Sequence, residues 1–219
     1  MNTLAIIGGT GRVGQQVIKQ ALELGYQLNV LARNPKKVTE HKLIRVIKGD
    51  ATDPEALDKL LTGADAIVST LGPSGINHSI KLAKSSAKEF GSTKSTQAIL
   101  PLMNKHNISR LILMGGASLQ HPDDENNLFM RLLLNKLAPK VLGDIYLDRE
   151  QELRILLNSQ VNFTIARAAK LDDAETTKPL KTSHKKFQGG NVSIHSLAAF
   201  LLEQVKSNNY FGKAVYIAN

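Results

Sequence analysis

Cysteine and tryptophan are both absent from this 219-residue chain, and aromatic residues make up only 5% of it. Without cysteine there is no disulfide framework, no thiolate nucleophile, no cysteine-based zinc site and no iron–sulfur cluster. The shortage of aromatic rings counts against stacking on single-stranded nucleic acid. No apolar run approaches the ~20 residues that a membrane helix needs. The N-terminus enters a strand-like segment directly, with no basic region followed by a long apolar one, so a soluble, cytoplasmic protein with no membrane partner is expected. The six histidines, at positions 41, 78, 106, 121, 184 and 195, show no paired spacing suited to zinc, and no metal site is expected. Positive charge, in contrast, is plentiful. Lys and Arg number 28 against 19 Asp and Glu, a formal net charge of +9. This balance suits an anionic ligand and equally suits nucleic acid, so charge alone does not choose. Aromatics are scarce among Lys81, Lys84, Lys88 and Lys94, which makes nucleic acid the weaker reading.

The residues that choose stand at the start. Thr3 to Ile7 form a short apolar run that ends in Gly8-Gly9-Thr10-Gly11-Arg12-Val13-Gly14, and an amphipathic stretch from Gln15 to Leu24 follows at once. Strand, glycine turn and helix in that order are what a dinucleotide-binding unit needs. Gly8 lets the chain turn sharply, Gly11 clears the way for a pyrophosphate to approach the backbone, and Gly14 lets the helix pack close to the strand. The phosphates would sit on the helix N-terminus, among amide groups without intrahelical partners. The next strand-like segment, Gln27 to Ala32, ends in Arg33. A site that prefers NAD carries Asp or Glu near that position, whereas a 2′-phosphate is met by Arg, so Arg33 points to NADP(H) over NAD(H). Arg12, Lys36 and Lys37 are available to the same positive pocket, or are simply solvated surface charges.

Along the whole chain, apolar runs alternate with helical patterns, which is how βαβ units build a parallel sheet. Strands are expected at Leu4–Gly8, Leu28–Ala32, Leu43–Lys48, Ala66–Ser69, Leu111–Met114, Phe163–Ala166 and Val215–Ile217. One helix starts at Pro54, capped by Asp53 or Thr52. Another runs from Ser95 to His106, where Pro101 should kink it or shift a boundary, and a third from about Leu147 to Leu157, with Asp144 as its cap. The expectation is a single α/β domain over residues 1–219: a Rossmann-type, doubly wound parallel sheet with helices on both faces. Two stretches, 119–143 and 170–191, interrupt the alternation after strand ends and would form a small substrate-side lobe. The apolar part of the first, Leu128 to Leu134, reads as a lid or substrate wall, as a plain surface helix, or as a dimer contact.

Several segments together resemble the atypical short-chain dehydrogenase/reductases of the NmrA-like and biliverdin/flavin-reductase-like type. The glycine turn is one, and Leu31-Ala32-Arg33-Asn34-Pro35-Lys36-Lys37 is a second. Others are Gly49-Asp50-Ala51-Thr52-Asp53, Val68-Ser69-Thr70-Leu71-Gly72, Asn162 to Arg167, and Gly190 to Ile194 followed by Leu197-Ala198. The resemblance implies a cofactor site made by Gly8, Thr10, Gly11, Arg12, Val13, Gly14, Arg33, Asp50, Ala51, Thr70, Leu71 and Gly72, with Asp50 at the adenine. It also implies a polar substrate contact at Lys170.

The catalytic end departs from the family. Relatives often carry Ser at the end of the fifth strand and Tyr and Lys on the next helix, where they donate a proton to a carbonyl. Here the strand ends Met114-Gly115-Gly116-Ala117, the nearest hydroxyl is Ser118, and the helix offers Tyr146 and Arg149. These three are the candidate catalytic residues. Arg149 can also be read as an exposed ion pair with Glu152, Tyr146 as a packing residue, and Ser118 as a turn former. Gly115 and Gly116 would leave flat space beside a nicotinamide ring. The expected function is NADPH-dependent reduction of a small planar or carbonyl acceptor such as a flavin or quinone. The other reading is an NADP(H)-sensing regulator without turnover.

Overall fold

The computed structural model describes residues 2–73, 79–173 and 179–219. His78 and residues 174–178 of the second interrupting stretch lie outside the described residues. In chain order the elements are β1 (Thr3–Ile7), α1 (Arg12–Glu23), β2 (Gln27–Ala32), β3 (Ile44–Lys48), α2 (Pro54–Leu61), β4 (Ala66–Ser69), α3 (Ile80–Ala87), α4 (Gly91–Lys105) and β5 (Arg110–Gly116). There follow α5 (Leu128–Leu132), a π-helical turn (Leu133–Leu137), α6 (Ala138–Leu142), α7 (Asp144–Leu157), β6 (Asn162–Ala168), β7 (Lys170–Asp172), β8 (Lys181–Ser183), β9 (Asn191–Ser193), α8 (Ile194–Glu203) and β10 (Lys213–Ala218).

Eight strands form one sheet in the order β3-β2-β1-β4-β5-β6-β10-β8. All its pairings are parallel except β10–β8, at the edge. The strand order reverses between β1 and β4. That reversal opens a crevice beyond the carboxyl ends of the strands, which is where open α/β sheets take their ligands. Helices cover both faces. Because side chains alternate along a strand, β1 sends Leu4 and Ile6 to one layer and Ala5 and Ile7 to the other. The first layer includes Val13, Val17 and Ile18 of α1 with Leu197 and Leu201 of α8. The second includes Leu57 and Leu60 of α2, Ile99 and Met103 of α4, and Leu153 and Leu156 of α7. Each such side chain, fully buried, contributes about 1.5–3 kcal/mol.

Local chemistry sets the helix boundaries. Asp53 accepts the Glu55 amide at 3.0 Å and Pro54 opens α2, which settles the cap in favour of Asp53. α4 starts at Gly91, earlier than the apolar pattern suggests, and continues through Pro101 to Lys105, so the proline ends nothing. α7 also starts early. Its cap is Gly143, at φ 57°, while Asp144 lies inside the first turn instead of capping it. The stretch 170–191 does not form a separate lobe throughout: β8 extends the main sheet along β10, and β7 pairs with β9.

Candidate functional site

The glycine turn sits at the crevice between β1 and β4. Gly8 has φ +79°, and a Cβ there would stand 2.8 Å from Thr70 Oγ1 and 2.9 Å from the Thr70 carbonyl carbon. Gly14 is tighter still, since a Cβ would lie 2.2 Å from the Gly8 carbonyl oxygen. Gly11 differs from both, for its Cβ would meet only that same oxygen, at 3.3 Å. The first and third glycines are thus required by the protein's own packing, and the middle one leaves open space at the start of α1. No side chain caps α1 and no acid stands in its first turn. By contrast Asp53, Ser79 and Ser193 cap α2, α3 and α8. A helix end left in this state favours an anion. Val13 is buried in the core, so it can present only its backbone amide to a ligand.

From the turn a cleft of about 380 Å³ extends along the ends of β1 to β4, lined by Gly8, Thr10, Arg33, Asp50, Ala51, Thr52, Leu71 and Gly72 among others. Arg33 is exposed at the end of β2. Asn34 beside it accepts the Lys36 amide at 3.2 Å and so starts the short 3₁₀ turn Pro35–Lys37. Asp50 holds the opposite wall by accepting the Thr52 amide and hydroxyl at 3.0 and 2.8 Å. Gly49 before it is dictated by packing, because a Cβ would lie 2.2 Å from Ala56 Cβ on α2.

Two members of the expected set face elsewhere. Arg12 does not join Arg33. It pairs with Asp173 at 2.5 Å, beside a second depression shared with Gln16 and His195. Thr70 turns its hydroxyl toward the Gly8 and Ile7 carbonyls, at 3.1 and 3.3 Å, and so fixes the glycine turn to β4. Leu71 and Gly72 are the residues of that segment that line the cleft.

The sequence reading missed most of what α7 does. Asp148 is buried and lines the same cleft. Its carboxylate accepts the Ser92 and Thr93 amides at 3.1 and 2.8 Å, holding the N-terminus of α4. Arg149 does pair with Glu152, at 2.6 Å, but the pair is buried, not exposed. Its other terminal nitrogen donates to the Leu71 carbonyl, and Glu152 accepts from Thr96 Oγ1 at 3.0 Å. One helix therefore ties α4 and the cofactor-side segment after β4 together. Acidic residues three or four apart on a helix give no sequence signal for such partners.

At the end of β5, Ser118 lies in a turn closed by the Leu119 amide on the Gly116 carbonyl, 3.1 Å away. Gly115 leaves no space for a ring, because its missing side chain is replaced by Ile165 Cγ2 at 2.7 Å. Gly116 is open, with only Ser118 Oγ at 3.7 Å. Tyr146, in the first turn of α7, is half-buried and hydrogen-bonds the Gln120 side chain. Burial pushes its phenol above the ordinary value, and Glu150 adds to the effect. Lys170 is exposed at the start of β7, opposite Asn191.

The loop after Ser118 is clamped by Arg167, which is fully buried. Its guanidinium grips both carboxylate oxygens of Asp124 at 2.8 Å, donates to the Leu119 and Ala214 carbonyls, and lies 3.4 Å over the Tyr216 ring. Burial raises the Tyr216 phenol to about 12, so it remains a donor to Asp124, at 3.0 Å.

Comparison with known proteins agrees with this geometry. A 70-residue stretch is 43% identical to the photosystem II assembly factor Ycf39 of Trieres chinensis, covering 31% of this chain and 22% of that protein. The chain thus spans about a fifth of this relative's length. The oxidoreductase ylbE of Lactococcus lactis is 25% identical, with a TM-score of 0.73 over 100% of this chain and 91% of that one. A short-chain dehydrogenase/reductase of Veillonella parvula, solved in complex with NADP, shares the fold at 16% identity, with a TM-score of 0.77 over 100% of this chain and 94% of the other. The family model described as NAD(P)H-binding matches residues 8–208, from the glycine turn past α8, and the chain belongs to that family.

Proposed function

We propose that this protein is an NADPH-dependent reductase of a small planar or carbonyl acceptor, of the flavin or quinone type. The observation that carries the reading is the cleft itself, lined by Gly8 and Thr10 of the glycine turn at one side and by Arg33 and the Asp50 turn at the other, with the uncapped end of α1 following directly on that turn. The residues present fit a dinucleotide, since the space beside Gly11 suits a pyrophosphate and Arg33 offers a planar fork to a ribose 2′-phosphate. A bound nicotinamide would supply a hydride to the acceptor.

What the chain itself does is orient and enclose. α1 would hold the pyrophosphate, and Arg149 fixes the Leu71 carbonyl and so acts as a positioning residue. Gly116 leaves a gap beside Ser118 for a flat acceptor. Tyr146 has its phenol raised, not lowered, and has no lysine beside it on α7. It therefore serves as a neutral hydrogen-bond donor, which suits an acceptor whose proton comes from water. Ser118 and Lys170 are assigned to the acceptor's polar edge. The oxidoreductase name carried by the Lactococcus protein at 25% identity supports redox chemistry.

The test is to mix the NADPH complex with flavin and quinone acceptors and follow absorbance at the reduced-nicotinamide band. Acceptor-dependent oxidation, largely retained in Tyr146→Phe, supports the reading. Binding without oxidation of NADPH by any acceptor would make the protein a sensor instead.

A further inference from the structure

Residues 128–142 form a nearly continuous helix in three pieces, α5, the π-helical turn and α6, and this helix turns much of its apolar surface outward. Leu128 is 82% exposed, Phe129 73% and Leu132 61%, while Leu137 and Val141 are each half exposed. Soluble surfaces seldom gather bulky apolar side chains on successive turns without a partner. The polar residues of the same helix are of one sign. Arg131, Lys136 and Lys140 are exposed, and no acid occurs between Asn126 and Gly143. Beside it, α6 and α3 both pack on α7, and the first turn of α3 repeats the composition: Ile80 and Leu82 are exposed together with Lys81.

We propose that this face docks on an anionic lipid surface. A helix that presents Leu and Phe together with Lys and Arg, and no acid, has the composition of an interfacial helix that inserts its apolar side chains between headgroups while its cations meet lipid phosphates. A second copy of the chain is a poor occupant. A two-fold contact would set Arg131, Lys136 and Lys140 against the same cations of the partner. The helix is anchored firmly enough to serve as a foot. The loop that leads into it is held by the buried Arg167–Asp124 pair, and α7 follows it directly.

Flotation of the full chain with vesicles of phosphatidylcholine alone, and with added phosphatidylserine, tests this. Binding to the anionic vesicles and not to the neutral ones is expected, with release as salt is raised. Lys136→Glu with Lys140→Glu should weaken binding by at least about 30-fold, since each cation at an anionic surface contributes about 1 kcal/mol and the two new carboxylates are repelled. Phe129→Ser with Leu132→Ser should also abolish stable flotation. Both variants should keep the parent's thermal midpoint and NADPH binding, because these side chains face outward, and that separates a docking defect from a folding one. Equal binding to both vesicle types, no binding to either, or variants that float like the parent would overturn the proposal. So would a dimer in sedimentation that Phe129→Ser dissolves.

Discussion

Arg33 has the most specific consequence of any single residue in the cleft. It stands exposed on the cleft wall, where charge-assisted contacts to a ribose phosphate are worth about 1.5–3 kcal/mol. Arg33→Asp should therefore weaken NADPH binding by at least about 10-fold and improve NADH binding, as a pair of titrations would show. His121 governs a different property. It is buried, its Nε2 faces the Gly212 carbonyl at 2.9 Å, and its Nδ1 accepts the Asp123 amide at 3.2 Å. These contacts need a neutral ring. Burial lowers its pKa from the ordinary 6.5, and outweighs the opposing pull of Asp123. A histidine whose folded pKa is depressed contributes stability that is fully present above its unfolded value and is lost as pH falls below it. The thermal midpoint should accordingly drop as pH falls below about 6.5, and His121→Gln should flatten that drop. A profile identical in the variant would contradict the assignment. At Asp124, substitution by Asn leaves the buried Arg167 charge without its partner, and should cost about 3–5 kcal/mol in denaturant unfolding.

Among the elements, α1 and α7 divide the work, and they were not equally legible. α1 announces itself, because a tight strand-to-helix turn needs glycine at fixed offsets. Gly14→Ala would drive a methyl to 2.2 Å from the Gly8 carbonyl. It should cost about 1–3 kcal/mol through overpacking and displace the turn proposed to meet the phosphates, so a calorimetric titration should show NADPH affinity falling with stability. α7 could be located in the sequence, but Arg149 read there as a candidate catalytic residue or as an exposed ion pair with Glu152, and Asp148 carried no reading of its own. Their partners, Ser92, Thr93, Leu71 and Thr96, lie more than 50 residues away, and no local pattern encodes such pairing. Asp148→Ala should remove the acceptor at the start of α4, costing about 1.5–3 kcal/mol, and should weaken cofactor binding, because α4 forms part of the cleft. The short strands β7 and β8 were also not read from the sequence as separate elements. At three residues each, they are set by pairing with β9 and β10, not by an alternation of their own.

For the molecule as a whole, the seven parallel strands and their helical crossovers were readable because the strands, apart from the edge strand β3 with its exposed Arg45 and Lys48, are largely buried on both faces and so appear as mainly apolar runs. The cofactor half of the site was readable for the same reason that it is narrow: glycine turns and a single arginine leave marks in the sequence. The acceptor half proposed above would be built from loops after β5 and β6, whose positions depend on the Arg167–Asp124 clamp and on Ile165 filling the place beside Gly115. That is why Gly115, expected to open space for a ring, faces the core instead. The central claim concerns the cleft. Titrating the purified chain with NADPH and with NADH, in parent and Arg33→Asp forms, tests it most directly. The account predicts tighter binding of NADPH than NADH in the parent and the reverse order in the variant, whereas no binding of either nucleotide, or a preference that ignores residue 33, would contradict it.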